Sequence, residues 1–556
     1  MASWRAALVG ALVAALATLP GLGAGTLWDN SETAYGEVAR EILLTHDWVV
    51  LHLNGAPWFV QPPLYFWIAA LFARAFGVSE FALRLPSALA TIAMAAALGY
   101  AMARVTSPRA ALLATVVLST SLMQAVVGRL AIMDALLDLA VAVAILAWFG
   151  ALRTGSAAWW YGGWIAVALG TLAKGPVAPA VTLLVVVPWA LWERRAGYPV
   201  ALPSLARWAA GAGVYVALLL PWVVALARAA GPVAFGELVG HYTVGRYLGT
   251  IENQSGPIWY YLPVVILGFF PWFAFLVPAS LEGWRDARRR DALGGRDGSL
   301  ARLAIVWAAV PFVFFSLAKT KLPNYIALEL PSFAILVAVW FDRVVGQRDR
   351  RSALWWTAVV PVTIVGLGFA MWAFSHDNRL GAGLAAIRND FLALGGAILL
   401  GSVACFGLLL VRRWAWAGPF VLGGASVAVM LIIAFGEPLV ERFKPIPALA
   451  RVIDRERRAG DLVAVQGVSG GNALVFYTHP RVEALDGPGE VATGPSTDPR
   501  RSICGAPRAF VVASKKRPDP DPTYGRNRRV LAVSNNDVLF LYDGPPCAPV
   551  RAADRP

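Results

Sequence analysis

The sequence predicts a multi-span α-helical membrane protein of about 13 transmembrane helices with a small α+β domain at its C-terminal end. Three observations predict it. Of 556 residues, 58% are hydrophobic and only 15% are charged, whereas soluble domains carry about 25% charged residues. Apolar windows of about twenty residues recur along the chain, the length a helix needs to cross a bilayer. Barrel strands would alternate instead. After residue 436 the pattern changes to short β-like runs broken by Gly, Pro and Asp.

Taken in order, the spans fall near 7–27, 82–103, 109–127, 132–151, 157–173, 176–192, 208–228, 258–280, 303–318, 325–341, 353–374, 388–411 and 415–435. The stretch 62–77 is apolar but short and contains Arg74. It reads as an interfacial helix. A cleaved signal peptide is the alternative for 7–27, against which stand a thin basic start and a poor cleavage site, GLGAG. Basic residues set the orientation. Arg104 and Arg109, Arg153, Arg194 and Arg195, the stretches RDARRRDALGGRD and DRVVGQRDRR, and Arg412 with Arg413 all fall on one side. With the N-terminus cytoplasmic, residues 28–81 and everything after about 436 face outward. The expected layout is a membrane domain over 1–440, with interfacial helices in its first outer loop 28–81, and a periplasmic domain over 441–556.

In the tail, LVAVQGV, LVFYT, RVEAL, AFVVAS, RVLAVS and VLFLY read as strands, and PALARVIDRERRA before them as a helix. Cys504 and Cys547 would lie in an oxidising compartment, paired or as two thiols, while Cys405 lies in a span. The net charge of +14 sits mostly in short loops between spans, which argues against nucleic acid as a partner.

Charged residues on the outer side form two groups. Asp29, Glu32 and Glu37 lie in the first outer loop, and Asp134 lies just inside a span, after Arg129. Ionisable residues at membrane depth are costly and face a cavity or a partner; Asp134 either lines a cavity or pairs with Arg129. Asp138 follows it on the same helix face. Glu37, Arg40 and Glu41 read as the wet face of an amphipathic helix whose Val38, Ile42 and Leu43 face lipid or protein. The cationic group is Lys174, Arg246, Lys319 and Lys321, each at an outer helix end with Gly or Pro nearby. Converging, they would hold a phosphate at the lipid boundary, with Tyr325 adding a hydrogen bond. Singly, each would be a snorkelling anchor. A carboxylate could then take a proton from an acceptor hydroxyl while the cations neutralise a departing lipid phosphate.

The stretch ETAYGEVAREILLTHDWVVLHLNGAPWFVQPPLYFWIAALFARAFGVSEFALRLPSAL resembles the opening of the bacterial aminoarabinose-transferase and protein O-mannosyltransferase-like family of GT-C fold glycosyltransferases. RLAIMDALLDL, LAKGPVAP, HYTVGRYL, PIWYYLPVVILGFFPW and KLPNYIALELP match further, in the expected order across roughly residues 1 to 440. The resemblance implies inverting transfer of a sugar from a polyprenyl (undecaprenyl) phosphate donor to a lipid A-like, glycan or protein acceptor, at the outer face of the bacterial inner membrane. It makes Asp134 the second acidic residue of the cavity. Lys174, Arg246, Lys321 and Tyr325, with Lys319 and Gln61 beside them, would lie at the lipid-phosphate site, and Arg129 and His241 in the cavity. The chain departs from the pattern in two places. Ser31 replaces the family's first aspartate, leaving Asp29 or Glu32 to take its role. Val60-Gln61 replaces the Glu-Lys before Pro-Pro, which removes the carboxylate expected beside His241 at a divalent-metal site, so no cofactor is assigned and a divalent metal stays open without that ligand. The competing reading is a transporter or flippase. It would need polar groups reachable from both sides, whereas the ionisable residues here crowd one leaflet.

Overall fold

The computed structural model describes residues 2–28, 31–249, 255–288, 296–346, 350–375, 381–411, 414–435, 444–468, 471–479, 481–485, 499–514, 527–534 and 537–543. The chain forms two compact units. The first comprises residues 1–22, 60–65 and 84–436. The second comprises residues 23–59, 66–83 and 437–556, so most of the first outer loop folds with the tail.

In the first unit every stretch read as a span contains helix. Among the described residues seven helices are long and apolar enough to cross a membrane, or nine if two bent pairs each count as one span. The stretches 109–127 and 258–280, read as spans, are each such a bent pair. Pro108–Ser119 and Leu122–Arg129 meet at 59°, and Tyr261–Gly268 and Phe273–Arg288 meet at 108°. A broken helix within a bilayer must have its freed backbone groups satisfied by protein, and here the two breaks satisfy each other. Leu122 N–H donates to the Phe270 carbonyl at 3.1 Å. Trp272 Nε1 donates to Thr120 Oγ1 at 3.0 Å.

The helices Asp134–Thr154, Ala157–Lys174 and Val177–Arg195 pack closely because Gly170 lies at their meeting point. A Cβ there would come within 2.7 Å of Ala178 and 3.0 Å of Ala140, the small-residue contact that lets membrane helices approach. Gly175, at φ 72, ends the middle helix in a conformation costly for any side chain. The chain thereby turns at once from Lys174 into the next helix.

The second unit holds a five-stranded sheet. Its strands are β3 (Leu462–Gln466), β4 (Val482–Ala484), β5 (Ala509–Ser514), β6 (Asn527–Ser534) and β7 (Asp537–Asp543), in spatial order β4-β3-β5-β7-β6. A two-residue ladder, β1 (His52–Leu53) with β2 (Ala56–Pro57), stands apart. β3 is parallel to β4 and β5, while β7 is antiparallel to β5 and β6. LVFYT, read as a strand, belongs to the helix Asn472–Thr478. The reason is topological: parallel β3 and β4 need a crossover, and a helix supplies it. Ile446, Leu449 and Ile453 pack with Val463, Leu474, Phe510 and Leu541 in one cluster. Ala464, Ile503, Val511 and Phe540 form a second cluster, as strand alternation requires. Cys405 is a buried free thiol and Cys504 is disulfide-bonded; Cys547 lies outside the described residues.

Within this unit the helix Glu32–Thr45 reverses its expected exposure. Glu37, Arg40 and Glu41 are buried, at 2%, 8% and 6% exposure. Arg40 Nη2 donates to Glu37 Oε1 at 2.6 Å, and Arg40 Nη1 meets His479 Nδ1. Glu41 Oε1 accepts from Gly55 N–H at 2.9 Å. Asn54 and Val482 exchange two hydrogen bonds, at 2.8 and 3.1 Å. The polar face therefore faces protein: Glu37 pairs within the helix, Glu41 with the Gly55 backbone, and Arg40 with His479 of the tail. Burial, partly offset by Arg40 and reinforced by Glu41, pushes the Glu37 carboxyl up to about 7. Burial, and then Arg40, holds His479 below the ordinary histidine value.

Candidate functional site: a lipid-anion cavity in the helical unit

Asp134 opens its helix, where the dipole favours a carboxylate. Lys174 closes the neighbouring helix, where the dipole favours a cation. The two helices are joined at Gly155 and Ser156, and their opposite ends, carrying Asp134 and Lys174, meet side by side. Lys174 Nζ donates to Asp134 Oδ1 at 2.5 Å, and Asn324 Nδ2 donates to the same oxygen at 2.6 Å. The Lys174 ammonium also lies 5.2 Å from the centre of the Tyr325 ring, within cation–π range. Asn324 and Tyr325 come from the 3-10 turn Pro323–Glu329.

These groups form part of the wall of a cavity of about 320 Å³. Gln61 and Val60 line it, as do Tyr242, Tyr247 and Thr320. Most of the remaining wall is apolar, with Leu137, Val177, Ala180, Phe314, Phe315 and Leu328. Asp138, one turn into the helix from Asp134, also lines it, and its Oδ2 is buried without a protein hydrogen bond.

The sequence-selected residues separate accordingly. Asp134, Lys174, Gln61 and Tyr325 come together on this cavity. Arg246 begins a short helical turn, Arg246–Leu248, between the lining residues Tyr242 and Tyr247; its side chain lies outside the described residues. That turn is tied to the 319–320 segment, since Lys319 N–H donates to the Tyr247 carbonyl at 3.0 Å and Thr320 Oγ1 donates to the Gly249 carbonyl at 2.9 Å. The Lys319 side chain is exposed and, like those of Lys321, Arg129 and His241, is not among the lining residues. Lys321 Nζ donates to the Ser316 carbonyl at 2.8 Å and to the Ala318 carbonyl, closing the end of its helix. Burial and then Lys319 lower its pKa. Arg129 does not pair with Asp134: its Nη1 donates to the Thr18 carbonyl at 2.9 Å, capping the helix Ala2–Thr18. His241 is exposed and packs edge-on against Tyr242. Glu32 belongs to the second unit, where it is buried and its Oε2 accepts from Trp28 N–H at 2.9 Å. Asp29 lies outside the described residues.

Asn324, Thr320, Tyr242 and Tyr247 were not singled out in the sequence. KLPNY held the signal for Asn324, which adjoins Tyr325. Tyr242 and Tyr247 carry no signal beyond their aromatic character. Val60 and Gln61 bring no carboxylate to the wall. Among the described residues no three His, Cys, Asp or Glu side chains gather in one place.

Charges gathered at helix ends beside an apolar wall define a class by architecture: a polytopic membrane protein with a cavity among its helices that is polar at one side and apolar over the rest. Comparison with known proteins narrows the class. Residues 60–228 match the family model for dolichyl-phosphate-mannose-protein mannosyltransferase. The undecaprenyl phosphate-alpha-4-amino-4-deoxy-L-arabinose arabinosyl transferase of Edwardsiella ictaluri is 30% identical over 429 residues, covering 75% of this chain and 74% of that protein. The enzyme of the same name from Serratia proteamaculans is 30% identical over 452 residues, covering 78% and 76%. Among solved structures, ArnT from Cupriavidus metallidurans, crystallised with undecaprenyl phosphate, superimposes with a TM-score of 0.81 at 23% identity over 98% of both chains. The apo oligosaccharyltransferase of Archaeoglobus fulgidus gives 0.51 at 11% identity, over 92% of this chain and 70% of that one. The chain belongs to the undecaprenyl phosphate-aminoarabinose arabinosyl transferase family, and is a GT-C fold integral-membrane glycosyltransferase that moves a sugar from a polyprenyl phosphate donor. The flippase alternative falls with that membership.

Proposed function

We propose that this chain transfers an undecaprenyl-phosphate-linked sugar to a lipid A-like, glycan or protein acceptor at the outer face of the bacterial inner membrane. The single observation carrying this reading is the Asp134–Lys174–Asn324 cluster on a cavity whose remaining wall is mostly apolar. A lipid phosphate needs a cation for its head and an apolar wall for the first part of its tail, and the cavity offers both. The relatives' names, which specify undecaprenyl phosphate and an amino sugar, support the donor class. The basic loops support a cytoplasmic N-terminus and a periplasmic tail.

In the proposed step an acceptor oxygen attacks the anomeric carbon and the bond from that carbon to the phosphate oxygen breaks, with inversion. The lipid phosphate leaves as an anion, and the acceptor proton passes to a carboxylate. Asp134 is the carboxylate favoured for that proton, because it lines the cavity; Asp29 and Glu32 are the others the sequence offers. Lys174, aided by Arg246, neutralises the departing phosphate, and Gln61, Asn324 and Tyr325 orient it. Lys319, exposed beside the lining residue Thr320, would add to the positive field at the cavity, while Lys321 closes the helix next to it. Lys174 is held by Asp134 until a phosphate competes for it, so donor binding would loosen the carboxylate just as it is needed.

The test is a transfer assay with purified protein, synthetic undecaprenyl-phosphate aminoarabinose and lipid A, read by mass spectrometry. Asp134→Asn and Lys174→Met should each lower transfer by about 10²–10³-fold while retaining the fold. Product at the wild-type rate from either variant would overturn the site assignment. Wild-type protein that makes no product with this donor, yet does so with another polyprenyl-phosphate sugar, would move the sugar and leave the mechanism standing.

A further inference from the structure

Two helices that wall the cavity carry a different chemistry at their far ends. Val177–Arg195 contributes Val177 and Ala180 to the cavity near its start and ends at Arg195, about 27 Å away at 1.5 Å per residue. Arg296–Leu317 contributes Phe314 and Phe315 near its end and carries Arg302 near its start. Between these far ends and that of Phe273–Arg288 lies a second cleft of about 630 Å³, whose wall includes Trp192, Arg195, Trp284, Arg288, Arg302 and Val306.

Arg302 has 0% exposure. Its Nε donates to Glu193 Oε1 at 2.5 Å, its Nη1 donates to the Ala287 carbonyl at 3.0 Å, and its guanidinium lies 4.5 Å from the centre of the Tyr198 ring. Its Nη2 is buried and has no acceptor among the described residues. Buried guanidinium donors are ordinarily satisfied, so this side chain, set in the wall of a cleft, lacks one acceptor. Arg195 and Arg288 are exposed on the same wall. Glu193 offsets only one of the three guanidinium groups.

Helix-end arginines also complement the helix dipole, and that alone would account for Arg195 and Arg288. It does not account for the orphan donor of Arg302 or for the apolar rim. Trp192 and Trp284 pack with centroids 5.6 Å apart, and Leu191 beside them is 49% exposed. Tryptophan with arginine at a helix end marks the membrane lip. Basic pockets between spans at that depth recognise lipid headgroups.

We propose that this cleft binds the headgroup phosphate of an anionic phospholipid in the leaflet opposite the sugar-transfer cavity. Arg302 Nη2 donates to a phosphate oxygen, Arg195 and Arg288 balance its charge, and the Trp192–Trp284 pair lies along the glycerol and upper acyl chain. An inorganic anion would leave the aromatic rim without a role. The site stands apart from the transfer reaction and does not depend on which sugar is moved.

The experiment is native mass spectrometry of the full chain released from detergent, with phosphatidylglycerol and phosphatidylcholine of identical acyl chains offered at equal concentration. Wild type should retain phosphatidylglycerol at least about fivefold better. Arg195→Ala/Arg288→Ala and, separately, Trp284→Ala should remove that preference. The control pair Arg104→Ala/Arg207→Ala, which takes the same charge from exposed positions elsewhere, should keep it. Arg302→Lys retains the charge facing Glu193 but loses Nη2, and should weaken retention if it folds; the surface variants test the site without it. Equal retention of both lipids by wild type, equal loss in the control pair, or displacement by millimolar inorganic phosphate would each overturn the proposal.

Discussion

Replacing Lys174 with methionine tests whether the cavity works as a charged unit. The Lys174 and Asp134 side chains are 13% and 7% exposed and lie 2.5 Å apart. Removing one partner of such a pair leaves an uncompensated charge, at a cost of about 3 kcal/mol, the lower end of the range for buried pairs because both retain some exposure. Asn324 still donates to Asp134, which limits the loss further. In Lys174→Met/Asp134→Asn the stranded charge is gone. The double variant should therefore be more stable than Lys174→Met alone, with a coupling of about 1–3 kcal/mol. Activity should behave oppositely. Each single variant should lose about 10²–10³ in kcat/KM, and the double variant should recover none of it. Denaturant or thermal unfolding in detergent gives the first quantity, and mass spectrometry of transfer products gives the second. Stabilities additive to within about 0.5 kcal/mol, or full transfer by Lys174→Met, would refute the reasoning.

Asn324→Ala should reduce kcat/KM about 5- to 30-fold through loss of one charge-assisted hydrogen bond, and Asn324→Asp should reduce it more, by repelling Asp134; steady-state kinetics distinguishes the two. Asp138→Asn should leave stability unchanged or raise it, since the carboxylate it removes is buried with Oδ2 unpartnered; a large fall in unfolding temperature would show that Asp138 has a partner which the fold requires. Glu37 titrates near 7, so the folded protein holds its proton more tightly than the unfolded chain. Its contribution is present in full below the unfolded value of 4.5 and is lost as pH rises through about 7. His479, lowered by burial and Arg40, acts in the opposite sense as pH falls, while Arg40 and Glu41 complete the set of charges around Glu37. Glu37→Gln should accordingly flatten the pH dependence of unfolding above about pH 5 and raise stability at about pH 8, by about 1–3 kcal/mol. An unchanged slope in that variant would count against a buried, protonated Glu37. Gly175→Ala should cost about 1 kcal/mol, from φ 72, and should slow transfer by displacing Lys174.

Much of the helical architecture was legible because a bilayer leaves a backbone few choices, so long apolar windows translate almost directly into helices. The kinks at 119–122 and 268–273 were not legible, since each depends on hydrogen bonds from the other. LVFYT misled for a related reason: Val, Phe and Tyr favour strands locally, but the crossover between parallel β3 and β4 needed a helix. The helix 32–45 misled by composition. Glu37, Arg40 and Glu41 look like a wet face until the fold gives each a partner: Arg40 for Glu37, the Gly55 N–H for Glu41, and His479, more than four hundred positions away, for Arg40. At the site, Asp134 and Lys174 stood out because a charge beside a span is costly enough to need a reason. Arg129 and Lys321 stood out equally, and both serve to cap helix carbonyls.

The amino-acid order alone determined that the chain lives in a membrane, roughly where its helices run and which charges needed explaining, because hydrophobic length and isolated ions are local properties. The tertiary structure decided which of those charges share a cavity and which merely close a helix. A hydrogen bond depends on the meeting of two distant groups in space, and no local pattern encodes that.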